Sequence, residues 1–524
     1  MRGFRTVGLF CLLGCVWASV LWPAAGAEGP AIYTKETVPA APTLDDLPLK
    51  ESVSQYGITW TFETPARVGQ FVTGDYYVVG SVTVKTIDPA PLFGGEVPEE
   101  QLDAAEQKLP AAARVRNGSM LNPPARKEMA YDSGIRNWFK PEGAARLPIK
   151  MNPGDSLVST ISLKQGELVK GPYHSEGQRQ HKDDCPLKTA AILTCVAVPQ
   201  PPDAFRPSYC DRRQRIYLAR DLRRELLPNL PHVAGTPEVS KWLPVFQKPW
   251  LNTGFFSFDQ PMENMPHYEQ WICQAFASAS LLLCVDLKPG AKERLLQNMV
   301  QVGIDYCGVV RGGHPGWEGW GGHGSGRKFA VVFAGLLLGD DEMANVTRNY
   351  PQVDFGEDNQ TMYGDGWTGA KVVYAGHSGI QRSGKSERPK WGPYEHLPPS
   401  KWTRDNLQSE AYRRANTSCA WVGEALFLHL VKAEKQWNHD AFFDYVDRWM
   451  FEDDTAFRHE VSKYFPDCRE VADDADWAQQ GFAGEPFVKE MWNKYRATSA
   501  WPTDGWKKGQ VPQPRGDGPQ KAAE

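Results

Sequence analysis

The chain lacks a strong excess of charge of either sign. Its 58 Lys and Arg residues face 63 Asp and Glu residues, which leaves a formal net charge of −5 over 524 residues. A global basic field that recruits nucleic acid is therefore excluded, and any anionic ligand must be held by a local cluster of cations. Outside the extreme N-terminus the chain also lacks an apolar run that could enter a membrane, so we expect no membrane span.

Cysteine pairs with the spacing of a zinc site are also absent, so we expect no structural zinc. Of the ten cysteines, Cys11 and Cys15 lie in the N-terminal segment. The other eight are Cys185, Cys195, Cys210, Cys273, Cys284, Cys307, Cys419 and Cys468. An even count permits disulfides in an exported protein. Several of these residues lie in apolar stretches, however, which is equally typical of small buried hydrophobic side chains.

The N-terminus has the three parts of a secretory signal. Arg2 and Arg5 precede the apolar run 7–22, and the small residues 25–27 follow it. This order predicts a signal peptide over residues 1–27 and an exported protein, periplasmic or extracellular, that begins at Glu28. A loose lipobox that ends at Cys15 offers a lipoprotein as the alternative.

The remaining chain has ordinary globular composition, with 41% hydrophobic and 23% charged residues, and its length favours two or three domains. Residues 28–50 are rich in Pro and Ala and indicate a linker. Residues 58–62, 76–84, 157–163 and 191–198 alternate or are rich in β-branched side chains. We therefore predict an antiparallel β-sandwich over 51–205.

From residue 212 the spacing of apolar residues becomes helical. The pattern predicts helices at about 212–227, 268–287, 291–310, 328–338, 410–432, 440–450 and 485–496. Long apolar helices joined by loops rich in Gly and aromatic residues favour an (α/α) toroid over 212–498, which would be the catalytic domain. The polar tail 499–524 is expected to be disordered.

A Gly-rich segment carries the most unusual pattern. Eight of the eighteen residues 311–328 are Gly, which would let the backbone approach a ligand while Trp317 and Trp320 offer flat faces. His323, Arg327 and Lys328 come at the start of an apolar helix, whose N-terminus adds positive potential suited to a carboxylate. A structural loop with a solvated cationic end is the plainer interpretation.

Three further clusters are candidates. Tyr412, Arg413 and Arg414 open an apolar helix and could form a pocket floor, or an amphipathic helix with snorkelling Arg side chains. Asn264 and His267 precede the first long helix, where they could equally belong to a routine helix start. The segment 354–377, which includes Tyr363, could bind calcium or supply a carboxylate, and turn chemistry explains it equally well.

The combination of a sandwich with a toroid, the stretch His323-Gly-Ser-Gly-Arg327-Lys328 and the helix with Tyr412-Arg413-Arg414 resemble the toroidal polysaccharide lyases, especially the alginate and glucuronan lyases. The resemblance covers residues from about 230 to 495. The domain order differs, because in several such families the sandwich follows the toroid. The resemblance implies that Asn, His, Tyr and Arg side chains surround the sugar acid.

The sequence thus favours β-elimination of an anionic uronic-acid polysaccharide, without a cofactor or a metal. We expect His323 and Tyr412 to provide acid and base chemistry, with Arg327, Arg413 and Asn264 on the substrate carboxylate. The expected substrate-binding residues are Trp317, Trp320, Lys328, Arg414, His267 and Tyr363.

Two rival functions stay open. A glycoside hydrolase on the same toroid would use two carboxylates, for which the candidates are Glu318, Glu357, Asp358 and Glu410. A non-catalytic carbohydrate-binding envelope protein would use the Trp residues alone to stack on sugar.

Overall fold

The computed structural model describes residues 32–164, 166–169, 179–180, 186–251, 261, 263–266, 269–386, 388–471, 478–479 and 481–508. The expected signal peptide, the lipoprotein site at Cys15, the candidate residue His267 and the tail from residue 509 lie outside this part of the chain. The described chain combines an N-terminal sheet layer with a helical C-terminal layer.

Most strands lie in the first two hundred residues. They are β1 Leu49–Gln55, β2 Ile58–Gln70, β3 Tyr76–Val79, β4 Val82–Asp88, β5 Leu92–Phe93, β6 Val115–Arg116, β7 Ser119–Leu121, β8 Ile149–Met151, β9 Ser156–Ser162, β10 Leu168–Val169, β11 Arg179–Gln180 and β12 Leu187–Val196. Four short strands follow among the helices, namely β13 Gly316–Trp317, β14 Asp354–Phe355, β15 Thr361–Tyr363 and β16 Val372–Tyr374.

Eight strands form one curled sheet in the order β7-β9-β12-β3-β2-β4-β8, with β1 also paired to β2. Its pairs are antiparallel apart from β3 with β12. The long strand β2 pairs with β4 through residues 59–62 and with β3 through residues 68–70, so it belongs to both halves of the curled sheet. The predicted antiparallel strands are therefore present, with one parallel pair.

The core of the sheet layer follows from the alternation in β2. Ile58, Trp60 and Phe62 are buried while the residues between them are partly exposed. The indole Nε1 of Trp60 donates to Oγ of Ser159 on β9 at 3.0 Å, so this side chain joins the two halves of the curled sheet.

The helices follow in the second half. They are α1 Val239–Gln247, α2 Glu269–Leu283, α3 Pro289–Arg311, α4 Arg327–Leu338, α5 Asp341–Ala344, α6 Val346–Asn349, α7 Gly356–Gln360, α8 Arg404–Tyr412, α9 Ser418–Leu430, α10 Glu434–Trp437, α11 Asp440–Phe451, α12 Thr455–Tyr464, α13 Pro486–Tyr495 and α14 Gly505–Lys508. A π-helical segment, Arg413–Thr417, joins α8 to α9.

Helices α2, α3, α4, α9 and α11 bury most of their residues in one large apolar core. Helix α2 packs against α9, and α3 packs against α4. The closure of these helices into a toroid stays a prediction. The two layers are joined by Arg206, whose guanidinium pairs with Asp75 beside β3 at 3.1 Å and with Asp305 on α3 at 2.6 Å.

The prediction of a helix over 212–227 is wrong. The segment forms only two short turns, at Ala219–Asp221 and Arg224–Leu226. Its Arg side chains reach carboxylates that are distant in sequence: Arg220 pairs with Asp203 and Arg224 pairs with Glu293. These tertiary ion pairs compete with local helix formation.

The start of the expected disordered tail is packed instead. Trp506 is buried, and the indole of Trp501 donates to Oδ1 of Asp444 on α11 at 2.9 Å. Two large aromatic side chains thus bind this segment to the helical core.

The seven cysteines in the described part, from Cys195 to Cys468, are all free thiols, and six of them are buried. They therefore pack as small apolar side chains; Cys185 lies outside the described residues. Among the described helices, none has both the length and the apolar character needed to cross a lipid bilayer.

Candidate active site

A cluster of aromatic side chains gathers residues from four separate segments. We call Trp320, His377, Trp391 and Tyr412 the aromatic cluster. Its rings meet at steep angles: His377 lies 4.3 Å from Tyr412 and 5.1 Å from Trp391 between ring centroids, and Trp320 lies 5.9 Å from Trp391. His377 is buried, whereas the other three rings are partly exposed. The cluster therefore offers aromatic faces to solvent above a buried imidazole.

Glycine allows the loop after β13 to approach this cluster. Gly321 has a φ of +66°, and a Cβ there would lie 2.6 Å from Cδ1 of Tyr412. A Cβ on Gly322 would lie 2.6 Å from the carbonyl oxygen of Asn416. The amide of Gly321 donates to the carbonyl of His377 at 2.8 Å. The Gly-rich pattern thus serves close backbone packing beside Tyr412 and His377.

Tyr412 ends α8 at the point where the helix widens into the π-helical segment. Thr403 caps the N-terminus of α8, and its Oγ1 accepts from the amide of Asn406 at 3.2 Å. At the other end, Oγ1 of Thr417 donates to the carbonyl of Tyr412 at 3.1 Å. π-Helical segments are frequent at functional sites.

The buried imidazole of His377 has a lowered pKa of about 4. Burial is the largest cause, and electrostatic interactions with His323 and Arg388 add to it. Among the described residues, Nδ1 of His377 has no hydrogen-bond partner. The imidazole is therefore neutral at pH 7, and its unpaired Nδ1 is enclosed by the fold.

A cation lies at the exposed side of the cluster. The guanidinium of Arg388 lies 4.4 Å from the ring centroid of Trp320 and 5.1 Å from that of Trp391. His323 is partly exposed and close enough to His377 to affect its pKa. The expected residues Trp320, His323 and Tyr412 thus come together with His377 and Arg388.

Two cations expected on the substrate carboxylate, Arg327 and Arg413, and two expected elsewhere in the substrate site, Lys328 and Arg414, do not fit those roles. Arg413 and Arg414 are buried, and both pair with Glu410, at 2.8 and 2.7 Å. Although burial opposes ionisation, the two guanidinium groups hold the pKa of Glu410 below its usual value. Arg414 also pairs with Asp454 at 2.6 Å, so internal carboxylates neutralise both cations.

Arg327 and Lys328 are buried as well. Arg327 donates to the carbonyls of His323 and Ser325, at 2.6 and 2.9 Å. Lys328 pairs with Asp358, and its Nζ lies 3.9 Å from the ring centroid of Trp437. Burial lowers the pKa of Lys328 to about 8, although Asp358 opposes this shift.

The N-terminus of α4, expected to attract a substrate carboxylate, already binds a carboxylate of this chain. The amide of Gly326 donates to Oε1 of Glu357 at 2.6 Å. Burial raises the pKa of Glu357 to about 7. The positive potential of this helix start is therefore used inside the fold.

The remaining expected residues also have internal partners. Asn264 is buried and donates to the carbonyls of Val245 and Lys248 at the end of α1. Trp317 is buried with its ring stacked on His314, 4.6 Å between centroids. The hydroxyl of Tyr363 donates to Oδ2 of Asp444 at 2.9 Å. These contacts make Asn264 and Trp317 part of the core.

Sequence reasoning missed the roles of Trp391 and Arg388 and noted His377 only as the end of an acidic segment. Trp391 ends a short turn, Pro389–Trp391, in a loop without periodicity. The pairing of Trp with Arg and Lys in that loop was the available signal, because cations and indoles frequently stack.

Comparison of the chain with protein-family models, with curated proteins and with solved structures finds no match. The functional argument therefore rests on the side chains of this site.

Proposed function

We propose that this chain is an exported polysaccharide lyase that cleaves a uronic-acid polysaccharide by β-elimination. The observation that carries the proposal is the contact between the neutral imidazole of His377 and the phenol of Tyr412, beside two partly exposed indole rings and a guanidinium. We further propose that the helices close into an (α/α) toroid, that the curled sheet is a β-sandwich, and that the site lies at the opening of the toroid.

The reaction needs a base, an acid and a cation. A base removes the proton at C5 of the uronic acid, a double bond forms between C4 and C5, and the bond from C4 to the glycosidic oxygen breaks. In the proposed mechanism the partly exposed His323, with the neutral His377 beside it, takes the proton, and the hydroxyl of Tyr412 returns one to the leaving oxygen. The guanidinium of Arg388 binds the sugar carboxylate and stabilises the enolate-like intermediate. No step requires a cofactor.

The candidate carboxylates count against a glycoside hydrolase. Glu357 and Glu410 are buried, and Asp358 is largely enclosed between Lys328 and Arg382. Glu318 is the candidate that remains partly exposed, and its Oε2 accepts from the indole of Trp320 at 3.0 Å. A hydrolase needs two carboxyl groups that flank the substrate bond, so this set favours elimination.

The deciding experiment is an assay of the full chain with a panel of polyuronates. A lyase releases products with a conjugated double bond that absorbs ultraviolet light. A hydrolase releases reducing ends without this absorbance. Failure to release either product from every polyuronate, together with measurable binding, would establish the carbohydrate-binding alternative in which Trp320 and Trp391 only stack on sugar.

A further inference from the structure

The guanidinium of Arg388 covers the aromatic faces that a sugar ring would use. It lies within 5.1 Å of the centroids of both indoles, Trp320 and Trp391. Nζ of Lys390 also lies 4.8 Å from the centroid of Trp391, so among the described cations Arg388 is the one over Trp320. Arg388 itself is exposed, and among the described residues no carboxylate pairs with it. Its contact with the two rings is therefore the interaction that holds this flexible side chain over the site.

The two indoles are fixed much more firmly than the arginine. Nε1 of Trp320 donates to Glu318 at 3.0 Å, and Nε1 of Trp391 donates to Asp405 at 2.9 Å. The ring planes stand at 88° to one another. Trp320 also has a φ of +44°, a backbone conformation that is unusual for a bulky residue and that clusters at functional sites. The indoles form a preorganised corner, while Arg388 has rotatable bonds that let it leave.

We propose that Arg388 is a displaceable occupant of this corner and selects anionic over neutral saccharides; the inference rests on the proposed function of the site. A sugar ring that stacks on either indole must move the guanidinium aside and lose its contact with the rings. A carboxylate on that sugar compensates for the lost contact, because it forms a charge-assisted, bidentate pair with the displaced guanidinium. A neutral sugar offers no such pair.

This arrangement predicts effects of opposite sign for one substitution. Arg388→Ala removes the occupant and the carboxylate partner together. Affinity for an anionic oligosaccharide should fall about tenfold. Affinity for a neutral oligosaccharide of equal length should rise about two- to fivefold, because the face of Trp320 is no longer covered, although Lys390 remains beside Trp391.

The test is calorimetric titration of the full chain with uronic-acid tetrasaccharides and with the same tetrasaccharides after reduction of their carboxyl groups. Titrations use a Tyr412→Phe background so that turnover does not consume the ligand. Arg213→Ala, which removes the same charge from an exposed side chain elsewhere, is the matched control and should leave both affinities unchanged.

The inference would be overturned if Arg388→Ala lowered the affinity for both ligands equally or changed neither affinity. It would also be overturned if no tetrasaccharide bound. The outcome is separable from that of the proposed function. A reversal of sign without any ultraviolet-absorbing product from the unsubstituted protein supports the selective corner and rejects the lyase. Ultraviolet-absorbing product from the unsubstituted protein, without opposite effects of Arg388→Ala on the two affinities, supports the lyase and rejects the selective corner.

Discussion

The imidazole of His377 meets the phenol ring of Tyr412 edge to face, with the centroids 4.3 Å apart and the ring planes at 89°. One ring is buried and neutral, and the other is partly exposed at the end of α8. A neutral imidazole thus adjoins a phenol that can donate a proton.

Tyr412→Phe tests the role of the phenol. The substitution removes one hydroxyl and keeps the ring against His377, so the fold and the substrate affinity should change little. If Tyr412 transfers a proton, kcat should fall about a hundredfold or more. Steady-state kinetics on the polyuronate that gives the ultraviolet signal measures this. The exposed Tyr464→Phe is the control and should retain full activity; equal activity in Tyr412→Phe would remove Tyr412 from the mechanism.

Gly321→Ala tests whether the glycine is needed for contact with Tyr412. The added methyl would lie 2.6 Å from Cδ1 of Tyr412, so the phenol ring must shift and activity should fall at least tenfold. Gly235→Ala separates this effect from backbone strain, because Gly235 has a similar φ of +72° and open space around it. Similar kinetics in the two variants would contradict the proposed contact.

Arg413→Ala should act on stability rather than on substrate binding. The substitution leaves the buried Glu410 with one guanidinium fewer, and loss of one partner from a buried ion pair costs about 3–5 kcal/mol. Urea unfolding measures the loss. Arg404→Ala breaks an exposed pair with Asp467 and should change stability little. A stable Arg413→Ala protein with weakened substrate affinity would restore Arg413 to the binding site.

The lowered pKa of His377 predicts a stability that falls with acid. Between its ordinary pKa of 6.5 and about 4, the unfolded chain binds a proton that the folded chain excludes. The contribution of His377 is therefore complete above pH 6.5 and is lost as the pH falls towards 4. His439 has a lowered pKa of about 4 for the same main reason, burial, and adds to the decline.

The variant His377→Gln measures how much of the loss of stability at low pH is due to His377. Urea unfolding at pH 7 and at pH 4.5 should show a smaller loss of stability between the two pH values in the variant than in the unsubstituted protein. Identical losses in the two proteins would show that His377 titrates normally in the folded state.

The elements that could be predicted from sequence are those with strong local patterns. Helix α3, expected at 291–310, runs Pro289–Arg311, because Pro289 starts it and apolar spacing continues along it. The prediction of a helix at 212–227 failed because Arg residues of this segment pair with Asp203 and Glu293. Pairs between residues so far apart in the chain leave no local signal in the sequence.

The candidate site likewise contains some residues that could be predicted from sequence and others that could not. His323 and Tyr412 were found because polar residues at the start of apolar helices stand out in sequence. Arg413 and Lys328 stand out equally, yet they face internal carboxylates whose distance in the chain no pattern reveals. His377 and Trp391 lie in loops, where only the tertiary fold shows that they meet Tyr412.

The π-helical segment Arg413–Thr417 sets the angular phase between Tyr412 and the apolar helix α9 that follows it. Each residue of an α-helix advances the direction of its side chain by about 100°. A π-helical turn takes up one residue more than an α-helical turn. If the same residues wound as a regular α-helix, α8 would turn by about that angle relative to α9, and Tyr412 would point away from His377 while α9 kept its place in the core. The widening of this one turn therefore determines which way the phenol points.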